Sequence, residues 1–189
     1  MLWALVNGQR MNAEPGLTGC CPGCHADMLP KCGEIVTWHW AHTGTSCDPW
    51  YEVESEWHRQ WKARFPGHWQ EVNVRGRLAD VKTPTTVLEF QASPIPPQEI
   101  EARERHYGQL KWVLKGADFS DNFNIRLQGD YWSFRWKWPR KSWWYATKPI
   151  YVDLGDRLFA IKRLYADVPC GGWGYFVDYA RFVQACQGT

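Results

Sequence analysis

The sequence lacks the features of membrane, exported and disordered proteins. No apolar run approaches the ~18–20 residues that a membrane-spanning helix needs, which excludes a helical transmembrane protein. Segment 1–8 has neither a basic start nor a long apolar stretch, so we expect a protein that is not exported, works in the cytoplasm and has no membrane partner. Repeats and low-complexity linkers are also missing, and the 44% hydrophobic content is typical of a globular chain.

The sequence also has little net charge. Its 22 Lys and Arg residues are nearly balanced by 20 Asp and Glu residues, which leaves a formal net charge of +2. This balance argues against a protein that coats nucleic acid with a uniformly basic surface. The 189 residues suffice for one compact domain with a small satellite.

Cysteine and tryptophan, by contrast, are frequent. Five of the 7 cysteines lie between residues 20 and 47, and the chain contains 14 tryptophans. An odd, clustered set of cysteines without a signal peptide is typical of metal ligands in a reducing compartment rather than of disulfides.

Two cysteines and two histidines have the spacing of a zinc site. Cys21 and Cys24 form a CxxC turn, which brings two thiolates to one side of a metal, and His39 and His42 follow as an HxxH pair. Because four protein ligands leave no open position, we expect a structural Zn²⁺. The alternative is that these are buried thiols and surface imidazoles without a metal. Rival ligands are Cys20, His25, Cys32 and Cys47.

The middle of the chain predicts an α+β core. A helix is expected over 52–65, where Val53, Trp57 and Trp61 form an apolar stripe that ends before Pro66-Gly67. After it come, in order, strands at 69–74, 77–82 and 85–91, a helix from about residue 98 and a strand at 111–114. This is the order of a helix, a three-stranded meander, a second helix and a further strand.

The C-terminal part predicts a Trp-rich β extension. Residues 131–138 alternate between aromatic and polar side chains, as in a strand with one aromatic face. A hairpin at 150–164 and a helix at 178–187 follow. We therefore divide the chain into a zinc-binding segment at 1–50, a core at 51–118 and this extension at 119–189.

Acidic residues interrupt two of the predicted apolar strands. Asp80 lies on the second strand of the core, and Glu89 and Gln91 point to one face of the third. If the turn at Thr83-Pro84 is tight, Asp80 shares that face. Two carboxylates placed in this way are suited to Mg²⁺ or Mn²⁺.

Charged residues on the two core helices allow two interpretations each. Glu54, His58 and Lys62 follow one another at i, i+4 and i+8, either along the edge of the acidic site or on a plain solvated face. Arg103 shares a face with the apolar Ile100. Its guanidinium either extends into water or reaches the carboxylates or a phosphate.

Six short motifs follow one another between about residues 4 and 115. They are Cys21-Pro-Gly-Cys24, His39-Trp-Ala-His42, Glu54-Ser55…His58…Lys62, Arg77-Leu-Ala-Asp80-Val81, Glu89-Phe-Gln91-Ala-Ser93 and Arg103…Tyr107. In this order they resemble the CoiA-like competence nuclease family, which belongs to the restriction-endonuclease-like PD-(D/E)XK superfamily.

The resemblance implies a divalent-metal-dependent DNA nuclease in which Asp80 and Glu89 hold Mg²⁺ or Mn²⁺. Gln91 stands where many superfamily members have lysine, so the cation is expected from Lys62, Lys82 or Arg103. His58 is expected to relay a proton, and Glu54 to be a further metal ligand.

Expected partners are DNA and proteins of recombination or DNA uptake. Two alternatives are a catalytically silent nucleic-acid-binding or protein-interaction module of the same fold, and a DNA-processing protein that works only in a complex.

Basic and aromatic residues interleave between residues 126 and 148. Six Lys or Arg residues stand there against one acid, Asp130. Cations neutralise phosphate and exposed aromatic rings stack on bases, so we expect a nucleic-acid surface. Its candidate residues are Arg135, Lys137, Arg140, Lys141, Trp143 and Trp144, with the two tryptophans the most exposed. The alternative is that the tryptophans belong to the core.

Overall fold

The computed structural model describes residues 1–44, 48–50, 52–165 and 170–188. The chain divides into two compact units, Met1–Lys82 and Thr83–Thr189. The three-part division expected from the sequence, with boundaries after residues 50 and 118, stays a prediction. Among the described residues, no helix has the length and apolar composition needed to cross a membrane.

The first unit begins with a sheet of five short antiparallel strands. These are β1 (Ala4–Val6), β2 (Gln9–Met11), β3 (Gly19–Cys20), β4 (Asp27–Lys31) and β5 (His39–His42), in the order β2-β1-β3-β4-β5. Met28 and Trp40 are buried in the small core beneath them. The sequence does not predict these strands, because segments this short show no clear alternation.

Helix α1 (Glu56–Lys62) follows this sheet. It begins after Ser55, whose Oγ accepts a hydrogen bond from the His58 backbone N–H at 3.4 Å. A side-chain oxygen at this position satisfies a backbone donor that has no partner within the helix. The helix is shorter than the predicted segment 52–65.

A β-hairpin completes the first unit, with β6 (Gln70–Val74) antiparallel to β7 (Arg77–Lys82). Arg75 and Gly76 form its two-residue turn, and both have positive φ angles, of 51° and 85°. A turn of this length with two positive φ angles matches the right-handed twist of the flanking strands. The strands predicted at 69–74 and 77–82 are confirmed.

The second unit contains seven strands in the order β10-β11-β14-β13-β12-β9-β8. They are β8 (Val87–Gln91), β9 (Leu110–Lys115), β10 (Phe123–Gln128), β11 (Tyr131–Trp136), β12 (Ile150–Asp153), β13 (Leu158–Tyr165) and β14 (Gly171–Val177). Strand β9 runs parallel to β8 and β12, whereas the other neighbours are antiparallel. Helix α2 (Pro97–Tyr107) connects β8 to β9, and α3 (Tyr179–Gln187) follows β14.

The predicted α+β class is confirmed, and the elements from α1 to β9 follow in the predicted order. The restriction-endonuclease-like core stays a prediction.

Aromatic side chains form the core of the second unit. Phe134 and Trp136 on β11 are buried, and the Phe134 ring stacks on Phe123 with centroids 4.7 Å apart. Phe159 packs edge-on against Phe134 at 5.6 Å. The interpretation that the alternating aromatics belong to the core is therefore confirmed for Phe134 and Trp136.

Candidate functional site

Two cysteines and one histidine of the first unit form a group that can hold a metal ion such as zinc. One ligand atom from each of Cys21, Cys24 and His42 lies within 4.8 Å of the other two. Cys24 Sγ and His42 Nε2 are 3.4 Å apart. Burial, and to a lesser degree the positive N-terminus, lowers the pKa of His42, which favours the neutral imidazole that binds metal.

His39, predicted as the fourth ligand, does not join this group. It lies on β5 three residues before His42, and side chains three apart on a strand point to opposite faces. His39 Nδ1 instead lies 2.8 Å from the Thr37 carbonyl oxygen. Among the rival ligands, Cys20, His25 and Cys32 are also outside the group, and Cys47 lies outside the described residues.

A buried cluster of charges surrounds Lys62 at the end of α1. Lys62 Nζ donates to Glu54 Oε2 at 2.8 Å and Glu71 Oε1 at 2.9 Å, and lies 3.3 Å from Asp80 Oδ1. Burial alone would lower the pKa of Lys62, but the three carboxylates outweigh it and raise that pKa well above its usual value. The cluster thus has three acids around one cation, and only Asp80 keeps appreciable side-chain exposure, at 23%.

Glu71 is a member of this cluster that the sequence does not predict. It has a positive φ of 45°, which is uncommon for a residue with a side chain. Its carboxylate also accepts hydrogen bonds from the backbone N–H groups of Leu2, at 2.7 Å, and Trp3, at 3.0 Å. Burial would raise the pKa of Glu71, but Lys62, the N-terminal amine and the Leu2 N–H lower it to about 2.

His58 lies beside this cluster between a hydroxyl and a carboxylate. Its Nδ1 is 2.7 Å from Ser55 Oγ, and its Nε2 is 3.6 Å from Glu52 Oε2. Burial alone would lower the pKa of His58, but Glu52 and Asp80 outweigh it and raise that pKa.

Burial decides between the two interpretations of the charged residues on α1 and just before it. Glu54, His58 and Lys62 are all buried, so the interpretation as a solvated face is wrong. Val53, which was expected in the apolar stripe, is exposed, whereas Trp61 is buried as predicted.

The second unit has a smaller cluster around Arg103. Arg103 Nη1 donates to Glu89 Oε2 at 2.6 Å, and the same guanidinium bonds Glu99. Burial would lower the pKa of Arg103, but Glu89 and Glu99 outweigh it and raise that pKa. The interpretation that Arg103 reaches a carboxylate is confirmed. Gln91 is buried on the same strand as Glu89, and its Nε2 donates to the Ser93 carbonyl at 3.0 Å.

The predicted catalytic residues therefore fall into two groups. Glu54, His58, Lys62 and Asp80 belong to the first unit, and Glu89, Gln91 and Arg103 to the second. Joint binding of Mg²⁺ or Mn²⁺ by Asp80 and Glu89 stays a prediction.

The predicted nucleic-acid residues differ widely in exposure. Trp143 is only 1% exposed and packs against Trp112 with ring centroids 5.1 Å apart, so the expectation that it is exposed is wrong. It lies on a 3₁₀ turn at Lys141–Tyr145, for which the sequence predicts no element. Trp144 is half-buried, and Arg140 donates to the Ala92 carbonyl at 2.7 Å. The remaining candidates, Arg135, Lys137 and Lys141, are exposed.

No family model matches the chain, and neither does any curated protein or solved structure at the level required for a match. The structure by itself defines an α+β protein with a Cys/His group that can hold a metal ion. The likeness to the CoiA-like nucleases therefore depends on the six sequence motifs.

Proposed function

We propose that the chain is a divalent-metal-dependent DNA nuclease that acts on incoming or recombining DNA. The observation that carries this proposal is the buried cluster in which Glu54, Glu71 and Asp80 surround Lys62. Buried charged groups with shifted pKa values concentrate at functional sites, because their burial costs stability that folding alone does not repay. Glu54, Lys62 and Asp80 are also members of the motifs that resemble the nuclease family.

The donor atoms of the first unit fit a hard divalent cation. Glu54 Oε1 is buried and has no hydrogen-bond partner among the described residues, so it is available to a cation or to a water bound to one. Asp80 offers a carboxylate that remains partly open to solvent. Carboxylate oxygens are the ligands that Mg²⁺ and Mn²⁺ prefer.

Each residue then has a defined role. Asp80 is the proposed metal ligand of the first unit, with Glu54 as the further ligand, and the bound metal would polarise the scissile phosphate and activate a water. Lys62 fixes the positions of the Glu54 and Asp80 carboxylates and adds positive charge. His58, held by Ser55 and Glu52, accepts the proton of the attacking water at its imidazole.

Cleavage of single-stranded and duplex DNA with Mg²⁺ or Mn²⁺ tests this proposal. Asp80→Asn keeps the shape of the side chain and removes its charge, and we expect it to abolish cleavage. Asp118→Asn is the matched control, because Asp118 forms a half-exposed ion pair with Lys115. An Asp80→Asn protein that cuts as fast as the parent would overturn the proposal.

We further propose that the metal of Cys21, Cys24 and His42 is a structural Zn²⁺. Thiolates and imidazole select zinc over magnesium, since they are softer ligands than oxygen. Such an ion would join the CxxC turn to β5 and stabilise a sheet whose strands have only two to five residues.

One observation favours a second function, a nucleic-acid-binding or protein-interaction module without cleavage. Glu89 already has a cation partner in Arg103, at 2.6 Å, and Asp80 has one in Lys62, at 3.3 Å. Carboxylates neutralised in this way do not require a metal. DNA binding without cutting under any metal supports this module. If recombination or DNA-uptake proteins restore cutting, a nuclease that works only in a complex is supported instead.

A further inference from the structure

The β10–β11 hairpin has one face in the aromatic core and the other open to solvent. Arg126 pairs with Ser133, Asn124 with Arg135, and Gln128 with Tyr131. Residues directly opposite each other on paired strands point to the same face. The solvent face therefore carries Arg126, Arg135 and Tyr131, opposite the buried Phe134 and Trp136.

A groove of about 1110 Å³ follows this solvent face. Its cationic side chains are Arg126, Arg135, Lys137 and Lys141, and none of the described residues that line it is Asp or Glu. A concave surface lined by charges of one sign concentrates counter-ions of the other. The groove thus suits a polyanion, although the whole chain is nearly neutral.

Three aromatic side chains of the groove are open to solvent. Trp138 is 70% exposed, Tyr131 49% and Tyr165 48%. Exposed aromatic side chains that share one groove form the kind of patch at which ligands bind.

The combination of cations and open rings selects one kind of polyanion. In a duplex the bases are stacked on each other and expose only their edges, so the rings would have no partner. Unpaired bases stack on aromatic side chains while cations neutralise the backbone.

We infer that this groove binds single-stranded DNA, with bases on Trp138, Tyr131 and Tyr165 and phosphates on Arg126, Arg135 and Lys141. The choice of DNA rests on the proposed function. Arg126, Tyr131, Trp138 and Tyr165 thereby join the nucleic-acid surface predicted from the sequence.

Fluorescence anisotropy with the full-length chain and labelled dT20 tests this groove, in buffer without added Mg²⁺ or Mn²⁺. We expect dT20 to bind more tightly than a 20-bp duplex and than rU20. Trp138→Ala and Tyr131→Ala should each weaken dT20 binding about 5- to 150-fold, because each removes a base-stacking partner. Tyr145→Ala is the matched control, since Tyr145 is also exposed but does not line the groove.

The salt dependence of binding separates the two kinds of contact. Arg126→Gln should reduce the slope of log K against log salt by about 0.7, the amount for one phosphate contact to a single strand. Trp138→Ala should leave that slope unchanged while it lowers affinity. Arg181→Gln, at another exposed arginine of the second unit, should change neither quantity.

Three results would overturn the inference: duplex binding as tight as dT20 binding, tighter binding of rU20, or a Trp138→Ala protein that binds dT20 like Tyr145→Ala. The nuclease proposal fails separately. If dT20 binding depends on Trp138 but no metal supports cleavage, the groove stands and the nuclease does not. If the chain cuts DNA and Trp138→Ala binds dT20 like the parent, only the groove is wrong.

Discussion

The two units stabilise themselves in different ways. The strands of the first unit have two to six residues, whereas those of the second have four to eight. The first unit also contains the buried charges around Lys62 and the Cys/His group. The second packs Phe123, Phe134 and Phe159 into a continuous aromatic core. A small apolar core contributes little free energy, so a bound metal has to supply more of it. Each buried charge also has to keep its partner, because an unpaired buried charge is costly. The stability of the first unit should therefore depend on single polar groups far more than that of the second.

The largest expected effect is that of metal removal from the first unit. Structural zinc contributes on the order of 10 kcal/mol to small metal-binding folds. We expect about one zinc per purified chain, measured by atomic absorption. A chelator or Cys24→Ser should lower the midpoint of thermal unfolding more than any of the other changes considered below.

Two matched variants test the ligand set. Cys32→Ser and His39→Ala should both keep the zinc, because neither residue belongs to the group. Loss of zinc in His39→Ala would restore the four-ligand set that the sequence predicts. Unchanged stability after chelation would contradict the dependence on metal altogether.

Loss of the central cation should have the next largest effect. Lys62→Met leaves Glu54 and Glu71 buried without their partner, and breaking a buried pair in this way costs about 3–5 kcal/mol. Urea unfolding at neutral pH measures this loss. Lys31→Met, at an exposed lysine of the same unit, should change stability by less than about 0.5 kcal/mol. If Lys62→Met is as stable as the parent, the cluster does not hold the unit together.

A third test uses the pH dependence of the Glu71 carboxyl. Its pKa is about 2 in the folded chain against an ordinary value of 4.5, so the unfolded chain binds the proton more tightly. The resulting stability is present above about pH 5 and is lost as the pH falls towards 2. The difference corresponds to about 3 kcal/mol. Glu71→Gln should flatten this acid limb in urea titrations, whereas Glu56→Gln, on the exposed side of α1, should not. An acid limb unchanged in Glu71→Gln would remove Glu71 as its cause.

The same contrast explains which features could be predicted from the sequence. The α1, α2 and β6–β9 segments have helical periodicity, strand composition or turn residues such as Arg75-Gly76, and these are local signals. The five N-terminal strands carry no such signal. Glu71 was missed because its partners Leu2 and Trp3 lie 69 and 68 residues away. Trp143 lies outside the alternating segment 131–138, so no local signal indicates that its ring packs against Trp112 on β9.

The smallest expected effect concerns the outer member of the Arg103 cluster. The Glu99 side chain is 22% exposed, and Arg103 keeps its buried partner Glu89 when Glu99 is neutralised. A partly exposed ion pair contributes about 0.2–1 kcal/mol, so Glu99→Gln should reduce the free energy of unfolding by no more than that. Glu101→Gln, at an exposed position of the same helix, provides the baseline in urea unfolding. A loss above about 2 kcal/mol for Glu99→Gln would mean that the second unit depends on its ion pairs as strongly as the first depends on Lys62, and the contrast between the units would fail.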